Sequence, residues 1–291
     1  MSRSTRIQAN GVEHHLVTWG HDVAKSTVFL VHGFMDAAGT WDRVAPALAE
    51  AGHRVIAPDM RGFGVGARSG PGGYYHFPDY VADLAGLVDA LVGPDETIKL
   101  VGHSMGGTVA NYFAGARPER VSHLVIIEGL GPPDNDWPIG PTRMRRWLDD
   151  LKESRESKAI PREQARRRLA VAHPGVPADV LDTRFPHLVR DVGDGMVEWL
   201  YDPLHRTTSP MPFFARLFME YSKQITFPVV FVSGGPNGFH PPDEDERLKA
   251  FANVETVTFE DAGHMVHWTK PAELGEMLIS RFAGLGGSPG R

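Results

Sequence analysis

The residues Gly102-His103-Ser104-Met105-Gly106 set a serine between two glycines, directly after a run at 97–101 that reads as a buried strand. A serine hydroxyl is a weak nucleophile until it is held in the open beside a base, and a strand that turns sharply into a helix holds it that way. Only small neighbours let the backbone pass so close to itself, and Gly102 and Gly106 are those neighbours. The pattern is that of a nucleophile elbow. A chance match in a surface loop is the bland alternative, but the flanks oppose it. Residues 107–116 are mostly small or apolar and Pro118 stops them, so a helix follows the turn.

The elements that must position this serine can be read in order. Residues 6–9 and 12–19 flank Asn10-Gly11, a dipeptide favoured in type I′ turns, and predict an antiparallel hairpin. An apolar strand at 27–31 ends in His32-Gly33-Phe34, and residues 41–51 have helical spacing that closes at Gly52. A strand at 54–57 runs into Pro58-Asp59-Met60-Arg61-Gly62-Phe63-Gly64. Residues 77–91 then place Val81, Leu84, Leu87, Val88 and Leu91 on one helical face. The elbow strand, its helix and a strand at 121–127 follow. Strand and helix in this alternation make right-handed crossovers, hence a parallel sheet covered on both faces. Ligands bind such sheets beyond the carboxyl ends of the strands, where every polar motif above falls.

From Gly131 the rhythm breaks at Pro132, Pro133, Pro138 and Pro141, and about ninety residues read as helices without sheet-like strands. Residues 1–129 and 222–291 are therefore expected to form the core, and 130–221 an inserted helical cap. Helices are expected at 143–158 and 162–172, with Arg166-Arg167-Arg168 a solvated face. Those of Trp199, Tyr201, Phe213, Phe214, Phe218 and Tyr221 that face the sheet are expected to line an apolar pocket, the rest to pack. Strands return at 227–233 and 254–259, a closing helix at 272–282, and residues 284–291 read as a frayed tail.

With 42% hydrophobic and 23% charged residues in 291, the chain reads as globular, and a net charge of −6 leaves no basic footprint for nucleic acid. The absence of cysteine excludes disulfides, thiol catalysis and thiolate-bound metal. Residues 1–20 lack an apolar signal core and no run is long enough to span a bilayer, so no membrane insertion and a cytoplasmic location are expected.

Four motifs in order, His32-Gly33-Phe34, the segment from Asp59 to Gly64, the Ser104 elbow and Ala262-Gly263-His264, make nearly the whole chain resemble the α/β-hydrolase superfamily, in its serine-hydrolase-like and carboxylesterase branch. The resemblance implies an eight-stranded, mostly parallel sheet with helices on both faces and an inserted helical cap. It implies Ser104 as nucleophile and His264 as base, with His103, His32 and His267 poorer candidates. Backbone N–H groups of Phe34 and Met105 would form the oxyanion hole. The segment from Asp59 to Arg61 would be structural, and Asp36 is left without a role. Similar enzymes often carry the acid in the turn after the strand that follows the cap, but Asn237 stands in that segment. Glu128, ending the strand after the elbow helix, is the favoured acid, with Asp243 and Asp261 weaker.

The expected activity is hydrolysis of a small-molecule carboxylic ester through an acyl-enzyme on Ser104, with no cofactor and no metal. A C–C bond hydrolase, thioesterase, lactonase or cofactor-free haloperoxidase would share the motifs. A hydrolase-fold ligand sensor with negligible turnover, or an inactive interaction protein, is the reading from another class. Epoxide hydrolases and dehalogenases carry aspartate as nucleophile, and Ser104 opposes both. The sequence leaves the oligomeric state open.

Overall fold

The computed structural model describes residues 1–153 and 156–283, so the expected tail at 284–291 lies outside the described residues. The chain opens with β1 (Arg3–Ala9) and β2 (Val12–Trp19), paired antiparallel with Ala9 opposite Val12. Asn10 and Gly11 both have positive φ, 48° and 74°, the backbone that a two-residue type I′ turn demands. Then come β3 (Thr27–Val31), β4 (Arg54–Pro58), β5 (Ile98–His103) and β6 (Val121–Ile127). An inserted segment carries β7 (Ile160–Pro161), β8 (Val189–Gly193) and β9 (Met196–Trp199), and the chain returns through β10 (Val229–Ser233) and β11 (Val254–Thr258).

Eight of these strands form one sheet in the order β1-β2-β4-β3-β5-β6-β10-β11. Its pairings are parallel from β4 to β11. Residues alternate between its faces because the side-chain period of a strand is two. Phe29 and Val31 of β3 point to one face, into a core shared with Leu84, Val109, Phe113 and Phe218. Val28 and Leu30 point to the other, against Trp41, Leu48, Leu274 and Leu278. Burial on both faces makes the central strands continuously apolar, and β5 has every residue buried.

Three expectations change on folding. The inserted segment is mainly helical, yet β7, β9 and β8 form a three-stranded antiparallel sheet within it. These strands are short, and β8 is mostly exposed, so no sustained alternation marked them in sequence. The helix expected at 143–158 runs only over Gly140–Asp150. The helix Ala215–Ser222, placed in the cap by the expected boundary at 221, packs against the elbow helix Met105–Ala116 and helps cover the sheet.

Two buried groups tie the insertion to the core. Arg247, in the helix Glu244–Lys249, donates from Nη1 to the carbonyls of Leu130, Gly131 and Pro132 at 2.9, 3.0 and 2.8 Å. His205, in the inserted 3₁₀ turn Pro203–Arg206, stacks between Phe63 and Tyr75 with ring centroids 3.9 and 4.2 Å away. Burial pushes the His205 imidazole from 6.5 down to about 3. A group whose folded pKa is depressed below its unfolded value excludes the proton from the folded state. Its contribution is whole above pH about 6.5 and is lost as the pH falls toward about 3. The urea midpoint is therefore expected to decline from about pH 7 to about pH 4.5, and His205→Gln to give a shallower decline from a lower start. Parallel pH profiles for the two proteins would exclude His205 as the titrating group.

Candidate active site

The carboxyl ends of β3, β5, β6 and β10 meet at one cavity of about 440 Å³, lined by Phe34, Ser104, Met105, Glu128 and His264 among others. Ser104 has φ 51° and ψ −118°, a strained conformation for a residue with a side chain. Its N–H donates to Ile127 O at 2.9 Å, which pins the elbow to the end of β6. A Cβ on Gly102 would overlap the Gly106 carbonyl, and one on Gly106 the Val31 carbonyl. The strain of Ser104 thus persists because three strand ends are packed at backbone contact around it.

Glu128 also has positive φ, 51°, and its side chain is fully buried. Oε1 accepts from Gly234 N at 2.5 Å and Oε2 from Phe239 N. His264 Nδ1 lies 3.3 Å from Oε2. Asn237 lies in the exposed 3₁₀ turn Gly235–Asn237 within that same 234–239 segment. The loop after β10, where a related enzyme would carry its acid, wraps the Glu128 carboxylate with backbone donors instead. Gly238 leaves the space, since a Cβ there would overlap Glu128 Oε1. Of the other acids, Asp243 is 2.7 Å from Arg247 and Asp261 is exposed.

His264 follows β11 in a loop turned by Gly263 at φ 66°. Gly263 N donates to Gly234 O at 2.9 Å, so the histidine loop is tied to the loop that cradles Glu128. Ser104 and His264 line the same cavity, with no hydrogen bond between their side chains among the described residues. Unliganded sites often hold this contact open until substrate binds. Phe34 and Met105 flank Ser104 from the β3 loop and the helix start, and neither N–H has a protein partner among the described residues.

The remaining histidines have other duties. Met60 N donates to His32 Nε2 at 3.0 Å, which leaves Nδ1 to carry the proton toward Gly33 O at 2.7 Å and shapes the Phe34 loop. His103 Nε2 lies 2.9 Å from His264 O, and a carbonyl only accepts, so Nε2 is the protonated nitrogen. Burial holds His103 well below its usual range. Asp59 accepts from Ala38 N at 2.6 Å and Val65 N at 2.9 Å and pairs with His15, while Arg61 forms a two-pronged pair with buried Asp83. Both are committed to the scaffold.

The cavity's aromatic wall departs from expectation. Phe34, Tyr74, Tyr75, Phe77, Tyr80, Trp147 and Phe239 supply it, and none of the six aromatics expected from 199 to 221 does. Phe213 and Phe218 sit in the sheet's core, Phe214 stacks on Trp137, and Tyr221 meets Tyr112. An aromatic stripe at helical spacing packs where its helix covers a sheet. The Tyr-Tyr-His-Phe run at 74–77 was the available signal for the true wall. Its position before a helix gave no direction for the side chains.

A family model described as alpha/beta hydrolase fold matches residues 26–271. The chain belongs to the α/β-hydrolase fold family. Epoxide hydrolase A of Mycobacterium tuberculosis is similar at 40% identity over 328 aligned positions, 96% of this chain and 97% of that protein. A serine hydrolase-like protein of Danio rerio is 31% identical over 185 residues, 62% of this chain, which spans about half, 56%, of that relative's length. The thioesterase domain from the curacin biosynthetic pathway superposes with a TM-score of 0.85 at 24% identity, covering 96% of this chain and 99% of that one. No helix among the described residues of this α/β hydrolase is long and apolar enough to cross a membrane.

If the elbow depends on backbone contact, Gly106→Ala is expected to cost about 3 kcal/mol or more, at the upper end of overpacking penalties, because carbonyls cannot rotate away as a side chain can. Chemical denaturation measures it, and a loss below about 1 kcal/mol would show that the turn has slack.

Proposed function

We propose that this α/β hydrolase cleaves neutral carboxylic esters through an acyl-enzyme on Ser104. The observation that supports the reading is a buried carboxylate 3.3 Å from His264 Nδ1, with His264 lining the same cavity as the strained elbow serine. In this reading Ser104 Oγ attacks the acyl carbon and His264 Nε2 takes its proton. Glu128 holds the opposite nitrogen and offsets the imidazolium charge. The N–H groups of Phe34 and Met105 receive the oxyanion. Collapse expels the alcohol, which takes the proton from His264, and water then releases the acid by the same steps.

Bond chemistry separates this from the epoxide hydrolase activity named for one relative. Attack of a serine oxygen on an epoxide carbon makes an ether, which water does not cleave, so the protein would be alkylated once and stop. A carboxylate nucleophile makes a hydrolysable ester there, and residue 104 carries none. Lining chemistry supports a neutral substrate. Glu128 is the one charged carboxylate in the wall and no lysine or arginine joins it among the described residues, so a substrate with a free carboxylate would be desolvated without a partner. Burial pushes the Tyr75 phenol up to about 12, which keeps that group uncharged.

Ser104→Ala is expected to lower p-nitrophenyl ester turnover by thousands-fold with the fold intact, while styrene oxide yields no diol with wild type. Retention of a tenth of the turnover, or steady diol formation, would sink the reading. Pre-steady-state release separates an enzyme from a sensor, which would give at most one slow equivalent. Glu128→Gln is expected to lose roughly 10³- to 10⁴-fold, since an amide keeps the hydrogen bond without the charge. Asn237→Ala is expected to stay near wild type, and the reverse ranking at equal melting temperature would move the acid.

A further inference from the structure

Behind the nucleophile lies a second cluster of ionisable groups that the proposed chemistry does not use. Asp36, His103 and His267 are all buried, and one ligand atom from each lies within 4.8 Å of the others. Asp36 Oδ2, His103 Nδ1 and His267 Nδ1 have no hydrogen-bond partner among the described residues, and Asp36 Oδ2 lies 3.6 Å from His267 Nε2. Buried polar groups are normally satisfied, so three unpartnered atoms within one buried cluster mark a place built to hold something. Their other polar atoms are occupied. Asp36 Oδ1 accepts from Ala37 N at 2.8 Å, and His103 Nε2 donates to His264 O at 2.9 Å. His267 Nε2 is 2.8 Å from Thr40 Oγ1, which is held in turn by the indole of Trp268 at 2.6 Å.

The donor chemistry selects the occupant. His103 Nδ1 is a bare lone pair, because Nε2 must carry the proton, and Asp36 Oδ2 is a carboxylate oxygen. Two imidazoles and one carboxylate suit a borderline divalent transition ion and suit magnesium or calcium poorly. We infer that Asp36, His103 and His267 bind one divalent transition-metal ion, of the zinc, cobalt or nickel type, and that its binding suppresses turnover. Gly33 stands between the cluster and the cavity: a Cβ there would lie 2.7 Å from His103 Nδ1 and 3.3 Å from Ser104 Cβ. The sequence hid the set because its members sit on a loop, a strand end and a short helix, 67 and 164 residues apart (103 − 36 and 267 − 103).

The inhibitory effect follows from connectivity and rests on the proposed esterase reading. Two imidazoles about 2.1 Å from a tetrahedral ion hold their ring centres about 5 Å apart, against 4.3 Å between His103 and His267, so loading reorients and parts the rings. His103 precedes Ser104 in the chain and holds the His264 carbonyl, so that shift reaches both ends of the nucleophile–base pair. A displacement of a few tenths of an ångström there is costly to turnover.

The test uses the full chain, dialysed against chelator and titrated with zinc chloride by calorimetry and with cobalt(II) by visible absorption. One ion per chain is expected, with affinity falling roughly ten- to a hundredfold in Asp36→Asn and in His267→Gln and kept in His264→Ala. Zinc is expected to lower kcat without raising KM, and chelator to restore it. Zinc-edge X-ray absorption of the wild type should show two imidazole nitrogens and a carboxylate oxygen, so the assignment stands or falls even if a variant misfolds. Absence of binding, which would make the cluster's occupant a water, overturns the inference. So does binding that is lost in His264→Ala and kept in the other two. Binding is read without substrate, so a chain that holds zinc but cleaves no ester retires the esterase reading and leaves the metal site in place.

Discussion

The contact on which the molecule depends is the backbone packing of β3, β5 and β6 at their carboxyl ends. Ser104 N reaches Ile127 O, and Gly102, Gly106 and Gly129 remove the side chains that would keep the strand ends apart. A strained serine costs on the order of 1–3 kcal/mol, and only a rigid surround maintains such a conformation. The buried central strands supply that surround from both faces. The close approach puts the β3 loop, the elbow and the end of β6 at one cavity, so the same glycines serve packing and site geometry together.

The inserted segment is coupled to the site through packing. Its own apolar core, with Leu169, Phe185 and Val197, is completed by Met265 and Trp268 at and within the short helix Val266–Thr269 that follows His264. Trp268 also donates to Thr40 in the 3₁₀ turn Ala38–Trp41, and Arg184 of the insertion pairs with Asp42 at the end of that turn. The histidine is therefore steadied from the insertion side as well as by Gly263 and Glu128. Trp268 thus belongs both to the core of the insertion and to the segment just after His264, and the aromatic stack on His205 ties the insertion to Phe63 and Tyr75.

Glu128 brings a buried carboxylate to His264 from the end of β6. A carboxylate on β6 reaches His264 because glutamate's longer side chain spans the gap and because Gly234 and Phe239 turn their N–H groups toward it. Those donors hold the carboxylate in place, so the loop after β10 supports it without carrying a charge of its own.

The local sequence determined the elements with strong periodicity: the Asn10-Gly11 hairpin, the buried strands β3 to β6, the elbow helix and the closing helix, since continuous apolar runs and fixed turn residues admit few alternatives. It also ordered Ser104, Glu128 and His264 along strand ends, because a parallel sheet places those ends at one edge. Short, exposed strands such as β7 and β8 carry no such signal, and tertiary pairing alone made them. Tertiary structure also decided which aromatics face the cavity, that Arg247 holds the start of the insertion, and that Asp36, His103 and His267 converge. Each of these depends on the direction of a side chain set by contacts distant in sequence, which residue type and spacing do not encode.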